Sequence, residues 1–292
     1  MHSYLRAVGF SNIKNKKDLK ELLNKVVQSP DKKTFVEIND ETSLVEYTRY
    51  FAGSSGLTLR GEFDNKNELT LDFYYPVVNS DIVSTTEEVS IERHVAQDSF
   101  AGVCEDTRVG VSLIFYLQNG LDVVKNRINE ENYNNKMTVS FSALSTEGIV
   151  MLPIKKDEKQ KAMIKKASSD RNERIMAARN GDEDALEQLA LEDIDTYTNI
   201  SRQILKEDVF TLVDSYLMPY GVECELYSIL ADIESVRLEI NELTAEEVYI
   251  MELNYNSMPL ILSINKKDIL GEPLPGRRFK GVILLQGKVN SV

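Results

Sequence analysis

Arg277, Arg278 and Lys280 stand in Gly276-Arg277-Arg278-Phe279-Lys280-Gly281, a basic stretch in an otherwise acidic chain. From Asn265 to Lys288 six basic residues face two acidic ones. Two arginines between glycines suit bidentate binding of a carboxylate or phosphate, the glycine backbone allowing close approach. The competing reading pairs these arginines with the chain's own acidic surface, such as the stretch 181–208. Strand alternation supports that reading: Arg278 and Lys280 share one face, and Arg277, Phe279 and Gly281 share the other.

His94 and Cys104 are the one pair that suits nucleophilic catalysis, where an imidazole generates a thiolate and a third group orients it. Glu105 and Asp106 follow Cys104 directly, and their charge raises a thiol pKa. Cys104 is therefore expected to behave as a small, half-buried residue, and no catalytic residue is assigned. His2 carries no signal. Two His and two Cys residues lie scattered without ligand spacing. Asp182-Glu183-Asp184 lacks the oxygen-ligand pattern of a calcium loop and reads as a solvated helix start. No Gly-rich phosphate loop is present, so neither metal nor cofactor is expected.

The net charge of −13 repels polyanions, which disfavours nucleic acid and anionic membrane as partners. No apolar stretch approaches the roughly 20 residues that span a bilayer. The opening residues Met1 to Arg6 lack the pattern of a signal peptide. With Cys104 and Cys224 the only cysteines, the expected setting is cytoplasmic.

The elements that would position these residues are predominantly β. Leu19, Leu22, Leu23, Val26 and Val27 follow a helical period, with Asn15 or Asn12 as cap and Pro30 as stop. Lys33 to Ile38 is a short strand, and Thr42 to Phe51 reads as a second helix stopped by Gly53. Leu57–Phe63 and Leu69–Tyr75 form a hairpin across Asp64 to Asn67. Val89–His94 and Val109–Leu117 are strands, Leu121–Ile128 is a helix, and Met137–Leu144 and Gly148–Ile154 form an antiparallel pair. From Lys155 to Asn180 nine basic residues face four acidic ones; from Gly181 to Asp208 two face nine. A basic helix is thus followed by an acidic one, broken at Asn180-Gly181, and opposite charge favours a helical hairpin. Strands resume at Val222–Leu230, Val236–Ile240, Val248–Leu253, Leu260–Ile264 and Gly281–Leu285.

Thr85-Thr86-Glu87-Glu88-Val89-Ser90-Ile91 is echoed by Thr244-Ala245-Glu246-Glu247-Val248-Tyr249-Ile250, and each copy leads into an apolar run closing on Leu-Gln, at Gln118 and Gln286. This predicts an α+β protein of two mainly antiparallel β-rich modules, a possible internal duplication, joined by a helical connector. The boundaries are an N-terminal α+β module over 1–154, a charged connector over 155–208 and a C-terminal β-rich module over 209–292. A duplication predicts the same strand order in both halves.

Met1 to Phe10, Ala101 to Asp106 leading to Leu117-Gln118-Asn119, and Gly271 to Gly281 together resemble an uncharacterised family of cytoplasmic proteins from anaerobic Gram-positive bacteria, over essentially the full length. That family is described as a domain of unknown function. The resemblance implies a bacterial cytoplasmic setting and no activity, cofactor or catalytic residue. The functional expectation is a non-enzymatic binding or interaction protein with a protein partner or self-association. The alternative is a sensor or enzyme for a small anion or nucleotide ligand, using the Arg277 to Lys280 loop.

Overall fold

The computed structural model describes residues 2–39, 42–63, 69–94, 99–128, 137–154, 158–203 and 213–291. A 3-10 segment, His2–Val8, leads into helix α1, Lys16–Gln28. The Asn15 side chain accepts the Asp18 N–H at 2.9 Å and caps α1, while Leu22 and Val26 form its buried side. Four antiparallel strands follow as a meander: β1 Lys32–Asn39, β2 Thr42–Ala52, β3 Ser55–Phe63 and β4 Leu69–Val78.

The expected helix over Thr42–Phe51 is therefore a strand. Its apolar set fits a helix stripe, but Val45 and Tyr47 alternate inward between two paired neighbours, and β-branched and aromatic residues suit that surface. Gly53, at φ 53°, turns β2 into β3 rather than ending a helix. The β3–β4 pairing matches the expected hairpin; its turn lies outside the described residues.

Next come β5 Val89–His94, β6 Ser99–Glu105, β7 Ser112–Leu117, helix α2 Gly120–Ile128 and β8 Met137–Met151. The expected pair over 137–154 is one long strand. It is held along its length by a single antiparallel partner, the last strand of the chain. At Gly148 a Cβ would come within 2.3 Å of the Phe279 ring, so the absence of a side chain lets the two strands stay together.

Two helices follow, α3 Glu158–Arg179 and α4 Glu183–Gln203, then β9 Tyr216–Pro219, β10 Leu226–Ile240, β11 Glu247–Tyr255, β12 Met258–Asn265, β13 Ile269–Leu270 and β14 Arg278–Ser291. The separate strands expected over 222–240 are one strand, β10. Candidate strand residues 209–212 lie outside the described residues.

Strand pairing closes a ring. β8 runs parallel to β12; β12–β11, β11–β10, β10–β14 and β14–β8 are antiparallel. Five strands thus form a closed barrel, and closure removes their edges. Period-2 alternation fills it: Val139, Phe141 and Ala143 of β8, Ile229, Ala231 and Ile233 of β10, Leu260, Leu262 and Ile264 of β12, and Phe279, Ile283 and Leu285 of β14 belong to one buried cluster. Leu144, Val248, Ile250, Ile261 and Leu284 belong to a second cluster, with the 3-10 segment, α1 and the β1–β4 meander. β7, β6 and β5 extend the barrel sheet from β14.

The echo has a local explanation. Thr85 Oγ1 accepts the Glu87 N–H at 3.2 Å, and Thr244 Oγ1 accepts the Glu246 N–H at 3.3 Å. Both copies make the same side-chain-to-backbone hydrogen bond before a strand, although only the second bends through a positive φ, at Ala245 (φ 57°). Beyond that bond they part. β5 pairs with β6 alone, whereas β11 lies between β10 and β12, so the strand order expected of a duplication is not kept. β8, from the first sequence module, completes the ring of the second.

Candidate functional site

Arg278 opens β14 and is 5% exposed. Its guanidinium donates Nε–H to the Leu152 carbonyl at 3.2 Å, and Nη1 to those of Val213 at 3.0 Å and Asp214 at 3.5 Å. Leu152 precedes α3, and Val213 and Asp214 follow α4. One buried cation therefore ties both ends of the helical excursion to the barrel. Arg277 donates Nη1 to the Glu272 carbonyl at 2.7 Å inside its own loop, and Lys280 lies two residues further along β14. Phe279, between them, is fully buried in the barrel. The basic triplet is brought to one place, and Arg278 there serves backbone carbonyls.

Cys104 is fully buried in the barrel-side cluster. Burial, with the charges of Asp106 and Glu87, pushes its thiol up to about 12, so it stays protonated at neutral pH. The His94 side chain lies outside the described residues. His2 Nδ1 and the Tyr74 hydroxyl share a 2.8 Å hydrogen bond. Among the described residues no group of three or more His, Cys, Asp or Glu is arranged to hold a metal ion.

Three charge networks were not legible in the sequence, because each draws in groups that the fold brings together, such as the Ser84 and Ser257 carbonyls at Arg108 and Ser11 at Glu246. Within the meander, Glu46 of β2 and Arg60 of β3 are cross-strand partners that form a buried ion pair with 3.0 and 2.5 Å bonds, and the Tyr75 hydroxyl of β4 donates to the Gln118 carbonyl beyond β7 at 2.9 Å. Burial pushes the Glu46 carboxyl up against the pull of Arg60. In the loop between β6 and β7, Asp106 accepts from the Arg108 backbone and side chain, and Arg108 also donates to the carbonyls of Ser84 and Ser257. At the second Thr-x-Glu-Glu copy, Glu246 accepts from Ser11 Oγ at 2.5 Å, Asn265 Nδ2 at 2.6 Å, Asn12 Nδ2 at 3.3 Å and Lys267 Nζ at 3.3 Å. Burial raises that carboxyl's pKa, but the donors outweigh it and hold the pKa below the usual range. Each of these networks joins parts of the fold. Asn241, donating to the Val8 carbonyl, and Thr244, donating to that of Gly9, complete the docking of the N-terminal segment.

The α3–α4 hairpin has another character. Gly181, at φ 91°, makes the turn, and Asp182 caps α4 by accepting the Ala185 N–H at 3.1 Å. The helices hold each other through Arg171 to Asp193 at 2.7 Å and Arg174 to Glu192 at 3.0 Å, the pairing that their opposite charge predicts. Ala185 and Leu189 of α4 turn inward, buried and half-buried. On its other side Leu186, Leu191 and Ile194 are 61%, 57% and 61% exposed. Leu186, Ala190 and Ile194 follow an i, i+4, i+8 row along one face, all exposed, with Glu183 and Glu187 beside them. Ala185, Leu186, Leu189 and Ala190 read as one apolar stripe in the sequence; the structure splits it, with Leu186 and Ala190 outward, because periodicity alone does not say which side of a stripe is covered. No described helix is long and apolar enough to cross a membrane.

With this geometry in place, the family can be stated. The chain belongs to the family described as "Domain of unknown function, E. rectale Gene description (DUF3881)", whose model matches residues 5–287. Neither the comparison with curated proteins nor that with solved structures finds a match.

Proposed function

We propose that this is a non-enzymatic interaction protein, in which the β-barrel body is a rigid base and the α3–α4 hairpin is the docking element. The observation that supports this most is the exposed Leu186, Leu191 and Ile194 face of α4. An apolar face on a helix is covered in the working assembly far more often than it is left in water. The polar clusters of the body support the same reading, since their donors and acceptors serve the fold's own backbone and carboxylates. A cytoplasmic setting fits the two cysteines, which are thiols, one buried and one exposed.

Affinity capture from native lysate tests this, comparing wild type with Leu186→Glu/Ile194→Glu. The expected result is one or more proteins held by wild type and lost from the variant. Identical sets from both would remove the hairpin from the account.

The second reading, a small anion held at the Arg277 to Lys280 loop, rests on Arg277, which is half-buried with its guanidinium at the loop surface. It predicts phosphate- or carboxylate-dependent thermal stabilisation that disappears in Arg277→Ala.

A further inference from the structure

We infer that the occupant of the hairpin's apolar face is a second copy of this chain, docked antiparallel so that two hairpins form a four-helix interface. The inference rests on the docking role proposed above, and charge complementarity carries it. Within one hairpin the central charges are matched, Arg171 and Arg174 of α3 against Glu192 and Asp193 of α4. The ends are not matched in formal charge. The first ten residues of α3 carry Lys159, Lys161, Lys165 and Lys166 against Glu158. The turn and the start of α4 carry Asp182, Glu183, Asp184 and Glu187 with no basic residue between Asn180 and Leu191. Arg179, which ends α3 at the tip, lies 3.9 Å from Glu105 of β6, so the start of α4 keeps its acidic charge and the hairpin is basic where α3 begins and acidic where α4 begins.

A single partner geometry satisfies both ends at once. A second hairpin related by a two-fold axis runs the opposite way, placing each acidic tip beside the other's basic base. That is the isologous contact of closed dimers. The exposed row of Leu186, Ala190 and Ile194 then supplies an apolar strip, with Glu183, Glu187 and Leu191 forming the next row beside it. A face about 30 Å long and two helices wide offers roughly 600 Å² per partner. That lies near the low end for specific interfaces, about 1,200 Å² in total, so the dimer should be of micromolar affinity.

The test is sedimentation velocity of the full chain from about 1 to 100 μM. Wild type should shift from the mass of one chain, 33.1 kDa, to twice that mass. Leu186→Glu/Ile194→Glu should weaken association by at least about tenfold, with an unchanged circular dichroism spectrum. Two charge-reversed variants make the geometry specific: Glu183→Lys/Asp184→Lys/Glu187→Lys, and Lys159→Glu/Lys166→Glu. Each alone should be monomeric, because both of its end contacts become repulsive. Mixed in equal amounts they should dimerise, because each tip then meets a base of opposite sign.

A wild-type monomer at 100 μM overturns the inference, and so does a dimer indifferent to all three variants. Two monomeric variants that fail to dimerise on mixing overturn the antiparallel geometry. If the wild type is monomeric yet captures another protein through Leu186 and Ile194, the second copy is refuted while the docking role stands. If it is monomeric and the capture is also unchanged, both fall.

Discussion

The two copies of Thr-x-Glu-Glu-Val begin with the same Thr-to-amide hydrogen bond and end in opposite environments. Glu246 is buried under four donor groups and anchors the N-terminal segment to the barrel, whereas Glu87 is exposed. The same contrast holds at larger scale. The barrel and its covering sheet hold many of their charges against their own backbone, although Leu152, Val222, Ile240 and Leu270 are exposed there, and the α3–α4 hairpin sets exposed apolar residues in a row along one helix. One region closes into a ring of paired strands, and the other leaves a helix face in solvent. Local sequence sets the Thr-to-amide bond; the neighbours that the fold delivers decide whether a carboxylate becomes an anchor or part of the surface.

The contrast breaks most visibly at the buried ion pair. Arg60→Met leaves the Glu46 carboxylate without its counter-charge and should cost about 3–5 kcal/mol in urea denaturation. Adding Glu46→Leu should recover most of it, since desolvation of the pair offsets much of its attraction. A small effect of Arg60→Met alone would mean that the β2–β3 pairing does not depend on this charge match.

The next effect separates the two motif copies. Glu246→Gln should destabilise by about 1–3 kcal/mol, and Glu87→Gln by no more than about 0.5 kcal/mol. The Glu246 pKa is depressed in the folded protein, so its contribution is present above its unfolded pKa and is lost as pH falls through its folded pKa. Wild type should therefore lose stability on acidification from about pH 5 downward, and Glu246→Gln should show a shallower loss over the same interval. Parallel curves would show that the carboxylate contributes nothing through its charge.

Smaller still is the clasp at the hairpin base. Arg278→Met removes donors from the Leu152, Val213 and Asp214 carbonyls and should cost about 1–2 kcal/mol. Faster amide exchange should appear at residues 150–154 and 213–217 before it appears in the barrel. Uniform acceleration across the barrel would make Arg278 part of the general core rather than a local clasp. At the bottom of the scale, Leu186→Glu/Ile194→Glu should leave the monomer's stability within about 0.5 kcal/mol of wild type.

Much of the local structure was legible in the residues. The capped helix ending before Pro30, the break at Asn180-Gly181 and most strands follow from period, caps and turn residues. The errors occurred where tertiary pairing overrides local pattern. Thr42–Phe51 carries helix-compatible spacing but lies between β1 and β3. Ser145 to Gly148 reads as a turn but stays within β8, because β14 pairs on both sides of it. The barrel itself was hidden, since its closure joins β8 to β12 and β14 across the helical excursion. The basic triplet was visible as a cluster, yet what Arg278 binds depends on Leu152 and Val213, which sequence does not place beside it. Gln118 and Gln286, the ends of the two echoed runs, donate and accept one hydrogen bond of 2.9 Å, a contact that only the β7–β14 pairing explains.

The central claim is that the body is closed and the hairpin is the surface that is met. Hydrogen exchange of the wild-type chain at about 1 and 100 μM tests it most directly, because it locates any association on the sequence. Protection should rise with concentration in α4 over 183–194, with the barrel strands and the edge strand β5 unchanged. Protection rising at β5 while α4 stays as it was would contradict the account.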